Sequence, residues 1–318
     1  MSGDNVSAAI LDANLKDSAH LNATGKRELS ALDEEYYSLE QDEASFFKTY
    51  TGIEDDAELK KHIMKVQTDA YSVFPYNCIR RFAFTKLKIS RFPAYQDLLR
   101  LGRERPGALF LDLGCCFGND VRKAVVDGFP VQQAIASDLR PEFWDLGYQL
   151  FKDDKEKFPA VFLPGDIFDN NFVPDDRSKV ETTTKLPPLT ELTSLAPLLG
   201  RLSAIHTSAF FHLFDEEQQA LVARKVASLL SAEPGSVIFG AHGGRAEKGL
   251  RTEIPSNPVR GTPMFCHSPE SWVHLWEKEV FQEGQVRVWA TLQEVPRPEI
   301  AHIPKAKWYL LVWSVTRL

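Results

Sequence analysis

Sulfur is scarce in this 318-residue chain, with four cysteines and three methionines. The cysteines stand at 78, 115, 116 and 266, without a Cys-x-x-Cys or Cys/His spacing. This excludes a zinc-binding motif of the usual kind and a disulfide framework, so no metal is expected and a reducing compartment is. No apolar run approaches the ~20 residues of a membrane span. The opening Met-Ser-Gly-Asp-Asn has no basic stretch leading into an apolar one, so a cytoplasmic protein is expected. Basic charge is also short: 37 Lys and Arg face 44 Asp and Glu, a net charge of −7 that argues against a nucleic-acid partner. Two glycine signatures are missing as well. There is no Gly-x-Gly-x-x-Gly for a dinucleotide and no Gly-Lys-Ser/Thr for a phosphate loop.

What remains is ordinary globular composition, 43% hydrophobic and 25% charged, enough for one large domain or one domain with an accessory piece. Residues 1–30 are small and polar and read as a mobile tail. Residues 31–104 read as a helical layer. Leu59, Ile63, Val66 and Ala70 share one face of a helix over 57–73, and 79–87 and 95–101 are further helix candidates. This layer lacks a convincing core of its own and is expected to pack, as a lid, on the C-terminal two thirds of the chain.

From Leu109 to the C-terminus the pattern alternates between strand and helix, which predicts an α/β domain over 105–318. Strands are expected at 109–113, 131–137, 160–163, 202–207 and 236–241, with a C-terminal antiparallel pair at 286–292 and 308–315. The resulting architecture is a Rossmann-like, doubly wound seven-stranded sheet, six strands parallel and one antiparallel. Residues 170–188 read as a polar surface insertion.

In such a sheet ligands bind outside the carboxyl ends of the strands. The marked residues fall at those ends. Residues 108–120, Ala-Leu-Phe-Leu-Asp-Leu-Gly-Cys-Cys-Phe-Gly-Asn-Asp, read as a buried strand with Asp112, then a tight turn at Gly114 and Gly118, then a helix start. Asp138, followed by Leu139, ends the second strand twenty residues after Gly118, a suitable place for a carboxylate to accept from both hydroxyls of a ribose. Asp166 and Ile167 follow the third strand in Gly-Asp-Ile-Phe. Alone, a glycine turn is as often structural, and a lone Asp at a strand end is more often a cap. Three such features on three successive strands point to one binding site.

The turn resembles motif I of class I S-adenosylmethionine-dependent methyltransferases, Asp-x-Gly-x-Gly-x-Gly, with Asp112, Gly114 and Gly118 matching and Cys116 replacing the middle glycine. Together with Tyr-Ser-Val-Phe-Pro-Tyr-Asn-Cys-Ile-Arg-Arg-Phe at 71–82 and Leu-Lys-Ile-Ser-Arg-Phe-Pro-Ala-Tyr at 87–95, it resembles fungal secondary-metabolite methyltransferases, including meroterpenoid-pathway enzymes that esterify a carboxylic acid. The resemblance implies S-adenosyl-L-methionine as cofactor, bound by Asp112, Gly114, Gly118, Asp138, Leu139, Asp166, Ile167 and His206. It places an adenine contact at Asp166 and packing on the ring at Ile167. The implied partner is a small apolar acid or phenol.

Methyl transfer from a sulfonium needs mainly alignment. A carboxylate arrives ionised, whereas a phenol or alcohol usually needs a base, most often His. His206 at the end of the fourth strand is the leading candidate, as donor or base; it is also a candidate for a buried strand-end histidine. His242 after the fifth strand and His212 are alternatives, while His267 reads as the approach to a helix capped by Ser268. Arg80, Arg81 and Arg245 are candidates for gripping a carboxylate, against the commoner role of solvated ion pairs. Tyr36, Tyr37, Tyr71, Phe74 and Tyr76 line an acceptor pocket or simply form core, and Trp272 and Trp276 read as core. Three functions stay open: carboxyl O-methylation, phenol O-methylation with a histidine base, and cofactor binding without turnover.

Overall fold

Short apolar runs bounded by turns form the strands of a single seven-stranded sheet. The structure, a computed structural model, describes residues 19–21, 27–29, 31–174, 185–253, 263–297, 300–303 and 306–318. The strands are β1 Leu109–Leu113, β2 Ala134–Asp138, β3 Val161–Pro164, β4 Leu202–His206, β5 Val237–Gly244, β6 Val286–Glu294 and β7 Tyr309–Arg317. Their order across the sheet is β6-β7-β5-β4-β1-β2-β3. Neighbours from β3 to β5 pair parallel, while β7 runs antiparallel to both β5 and β6, so six strands share one direction. Every residue of β1 is buried, as a central strand covered on both faces requires.

The helices that position the site are α1 Gln41–Thr51, α2 Asp56–Val73, α3 Asn77–Arg80, α4 Tyr95–Glu104, α5 Asn119–Val126, α6 Pro141–Phe151, α7 Glu216–Leu229 and α8 Pro269–His274. Sequence signals account for their starts. Asp55 caps α2 by accepting from the backbone of Ala57 and Glu58, and Asp215 and Gln218 form a capping box at α7. The expected inner face of α2 is buried and joins Phe46, Phe47 and Phe74 in a cluster with Phe117 of the glycine turn and Phe143, Leu146, Leu150 and Phe151 of α6. The helical layer therefore shares its core with the sheet domain instead of owning one.

Some expectations need correction. Residues 131–133 form a 3-10 turn rather than the start of β2, because Pro130 directs the chain into it. The helix expected over 79–87 stops after α3. Phe82 takes a left-handed conformation at φ 53° and a 3-10 turn, Ala83–Thr85, succeeds it. His242 and the glycines after it belong to β5 instead of a loop, since β7 supplies their ladder partners. The tail expected over 1–30 lies mostly outside the described residues, apart from an antiparallel strand pair, Ala19–Leu21 with Arg27–Leu29. The insertion expected over 170–188 lies partly outside them.

Candidate cofactor site at the strand ends

The turn after β1 is built to bring backbone close to a ligand. Gly114 and Gly118 sit at φ 73° and 69°, where only glycine is unstrained. A side chain at Gly118 would meet Trp144 at 2.5 Å, and one at Gly114 would meet Phe210 at 2.9 Å. Cys116, where the family motif has glycine, is also left-handed at φ 51°. A non-glycine residue there stores backbone strain. The backbone of Gly114 and Cys115 is pinned by the Ser137 carbonyl at 2.8 and 3.1 Å, which ties the turn to β2.

Asp138 closes the next strand and braces the turn directly. Its carboxylate accepts from Cys116 N at 2.8 Å and from Arg140 N at 3.0 Å. Burial raises its pKa, and those two hydrogen bonds oppose the rise. Two lone pairs per oxygen leave it acceptor capacity for a further hydroxyl. Leu139 comes next, half-buried. The helical layer reaches this point: Arg140 stacks on Phe74 at 4.1 Å, and Tyr76 hydrogen-bonds Arg140. Burial raises the pKa of the Tyr76 hydroxyl, and the nearby Asp138 adds to the rise. At the third strand, Asp166 is half-buried and accepts from Phe168 N at 2.9 Å. Ile167 is buried with Leu163, Phe172 and Val173 in the core.

Behind the turn lies a buried polar chain. His206 Nδ1 is 2.8 Å from Asp112 Oδ1, and His206 Nε2 is 2.8 Å from Ser208 Oγ. A carboxylate only accepts, so the ring donates from Nδ1 and turns Nε2 toward the hydroxyl. His206 is 1% exposed, so it meets a ligand only through the half-buried Ser208. Among the described residues Asp112 Oδ2 is buried without a partner, an orphan acceptor at the carboxyl end of β1. Asp120, in the first turn of α5, is a third buried acid. Burial raises its pKa, His206 opposes the rise, and Asp112 adds to it. An unfilled buried acceptor, positive-φ glycines and a cluster of acids fit the adenosine and ammonium groups of S-adenosylmethionine.

The other candidates are placed elsewhere. His242 lies in an aromatic box of Phe211, Trp272 and Trp313 and accepts from Trp313 Nε1 at 3.0 Å. Burial pushes its pKa well down, and the neighbouring His212 and His267 push it further. His212 Nδ1 accepts from Gly243 N at 3.0 Å, and His267 Nδ1 meets Ser271 Oγ at 2.9 Å at the start of α8. Arg80 donates to the Ala31 carbonyl at 2.8 Å, and both Arg80 and Arg81 stack on Tyr36 within the helical layer. Arg245 is held by Glu253 at 3.4 Å and by the Leu250 carbonyl. Trp272 and Trp276 are fully buried core. Sequence reasoning missed Asp120, which reads as an ordinary first-turn acid, and Ser208, whose only signal is its place two residues beyond His206.

A seven-stranded sheet with β7 reversed, a glycine turn after β1 and acids closing β1 and β2 define a class I S-adenosylmethionine-dependent methyltransferase. A family model for the meroterpenoid methyltransferase N-terminal domain matches residues 32–85. Methyltransferase ausD of Penicillium brasilianum is 32% identical over 257 residues, covering 81% of this chain and 82% of that protein. The Asnovolin E/Chermesin D methyltransferase nvfJ of Aspergillus novofumigatus is 34% identical, covering 71% of this chain and 72% of that protein. Among solved structures, a 1,6-didemethyltoxoflavin-N1-methyltransferase from Burkholderia thailandensis, with S-adenosylhomocysteine bound, aligns with TM-score 0.46 and 14% identity over 84% of this chain and 92% of that one. The chain belongs to the family of fungal secondary-metabolite methyltransferases that ausD and nvfJ represent.

Proposed function

We propose that this methyltransferase esterifies the carboxylate of a small apolar metabolite, an O-methylation that needs no base. When bound, S-adenosylmethionine supplies an electrophilic methyl group on a sulfonium. The glycine turn and Asp138 hold the adenosine, and Asp166 lies in reach of the base. The helical layer, through Phe74 and Tyr76, covers the second strand end and helps exclude water. Arg80 and Arg81 stay with that layer, and the acceptor is held chiefly at the β4 end, where Ser208 is aligned by His206.

The observation that carries this reading is the state of the strand-end histidines. His206 is engaged at both nitrogens. His242 accepts at Nδ1, so its neutral ring carries the proton at Nε2 and has no lone pair to offer there. Neither turns an unengaged basic nitrogen directly to an acceptor, which supports a nucleophile that arrives already ionised, as a carboxylate does. Two further relatives fit oxygen as the acceptor atom: O-methyltransferase phiE of a fungal species and O-methyltransferase atr3 of Stereocaulon alpinum, both 32% identical.

One feature favours a second reading. The Asp112–His206–Ser208 chain has the order of a proton relay, and a phenol could lose its proton through Ser208. The two are separated by the product. Incubation with a panel of terpenoid and aryl acids and phenols, then mass spectrometry, should give a methylated product that mild alkali cleaves back to the acid. An alkali-stable ether, with kcat/KM titrating near the ordinary histidine value of about 6.5, overturns the carboxylate reading.

A further inference from the structure

Residues 86–92 are strapped across the entrance of α5. Asn119 Nδ2 donates to the Lys86 carbonyl at 3.2 Å, Ile89 N donates to Asp120 Oδ1 at 3.1 Å, and the Phe92 ring lies 5.9 Å from that of His206. Lys88 sits between these tethers, half-buried. The other cations of the strap are paired: Lys86 with Glu43 at 2.8 Å, and Arg91 with Glu40, Asp42 and Glu43. The Lys88 ammonium makes no ion pair or hydrogen bond among the described residues.

Its charge nonetheless acts on three groups around the turn. Burial raises the pKa of Asp120 on α5, of Cys116 in the glycine turn and of Cys78 on α3, and Lys88 opposes the rise in all three. Around the same turn stand Asp112, Asp120 and Asp138, with Asp112 Oδ2 buried and unpartnered among the described residues. S-adenosylmethionine ends in an amino acid. Its ammonium suits these acids, but its carboxylate would be repelled by them unless a cation receives it. His206 is engaged at both nitrogens, and Arg140 is taken up by Phe74 and Tyr76.

We propose that Lys88 is the carboxylate-binding residue of the cofactor site, receiving the amino-acid carboxylate of S-adenosylmethionine while the acids of β1 and α5 face its ammonium. The inference rests on the cofactor assignment and is independent of the acceptor.

Two ligands test it by calorimetry. S-adenosylhomocysteine carries the amino-acid end, whereas 5′-methylthioadenosine keeps the adenosine and thioether and lacks it. Lys88→Met should weaken S-adenosylhomocysteine by about tenfold or more and leave methylthioadenosine within about twofold, with Lys88→Arg restoring most of the loss. An unchanged affinity for S-adenosylhomocysteine overturns the proposal, as does an equal loss for both ligands, which would make Lys88 a structural support of the turn. A rise in acceptor KM with cofactor affinity intact also overturns it, because the carboxylate received would then be the acceptor's. Failure of both ligands to bind the unaltered protein would instead strike at the cofactor assignment itself.

Discussion

Asp138 carries two loads. It braces the glycine turn through Cys116 N and, in the proposed cofactor site, would accept from the ribose. Asp138→Ala removes both, and hydrogen bonds to a charged acceptor are worth about 1.5–3 kcal/mol each, so cofactor affinity measured by calorimetry should fall tenfold or more. Cys116 offers a cleaner probe of the same turn. Its φ of 51° suits glycine and is worst for a β-branched residue. Cys116→Gly should hold or raise the melting temperature and keep cofactor binding. Cys116→Val should lower stability by about 1–3 kcal/mol in a denaturant titration. If glycine proves as harmful as valine, the thiol itself matters and the backbone does not.

At the scale of elements, α6 is fixed by one missing side chain. A Cβ on Gly147 would collide with the backbone carbonyl of Phe117, inside the glycine turn. Gly147→Ala should push α6 off the turn, so cofactor affinity and thermal stability should drop together although the residue touches no ligand. Gly147 thus couples packing to binding, and nothing local in the sequence marks it. The strands are far more legible. Buried parallel strands are short, mainly apolar runs between turn residues, and β1 follows that rule with Asp112 as its one polar residue. The rule fails where a distant partner decides. Gly243 and Gly244 look like loop residues. They are strand because β7 pairs with them, and glycine is needed at Gly244 because Leu311 and Leu292 pack against it. Likewise Ile79, Phe82, Phe84 and Leu87 show a helical spacing that reflects burial under α1 and α6, and the backbone reverses at Phe82. The site divides in the same way. Asp112, Gly114, Gly118 and Asp138 belong to a local motif with its own spacing, whereas the contacts of Asp120 with Ile89 and of His206 with Asp112 span 31 and 94 positions.

For the whole molecule, the buried histidines contribute to acid sensitivity. Burial lowers the pKa of His267 to about 4 and holds His242 well below its ordinary value. Unfolding releases both to titrate near 6.5, so between that value and about 4 the unfolded chain binds more protons than the folded one. Stability should therefore be full above neutral pH and fall as pH drops through this window. Urea titrations at pH 7.5, 6 and 5 check it, and His267→Gln should flatten the slope.

The shared core beneath the helical layer has a consequence in time. A ribosome delivers α1 and α2 before α6, with Phe46, Phe47, Leu59 and Ile63 ready to bury. Their partners on α6 begin at Phe143, roughly seventy residues after α2 ends at Val73. At about 5–20 residues per second of synthesis, that interval is on the order of several seconds. Throughout it the nascent chain displays an apolar helical face without the α6 side chains that complete its cluster. Yield in a foreign host should thus be governed by how well that face is chaperoned, and slower, cooler expression with added holdase should help more than any change to the finished surface.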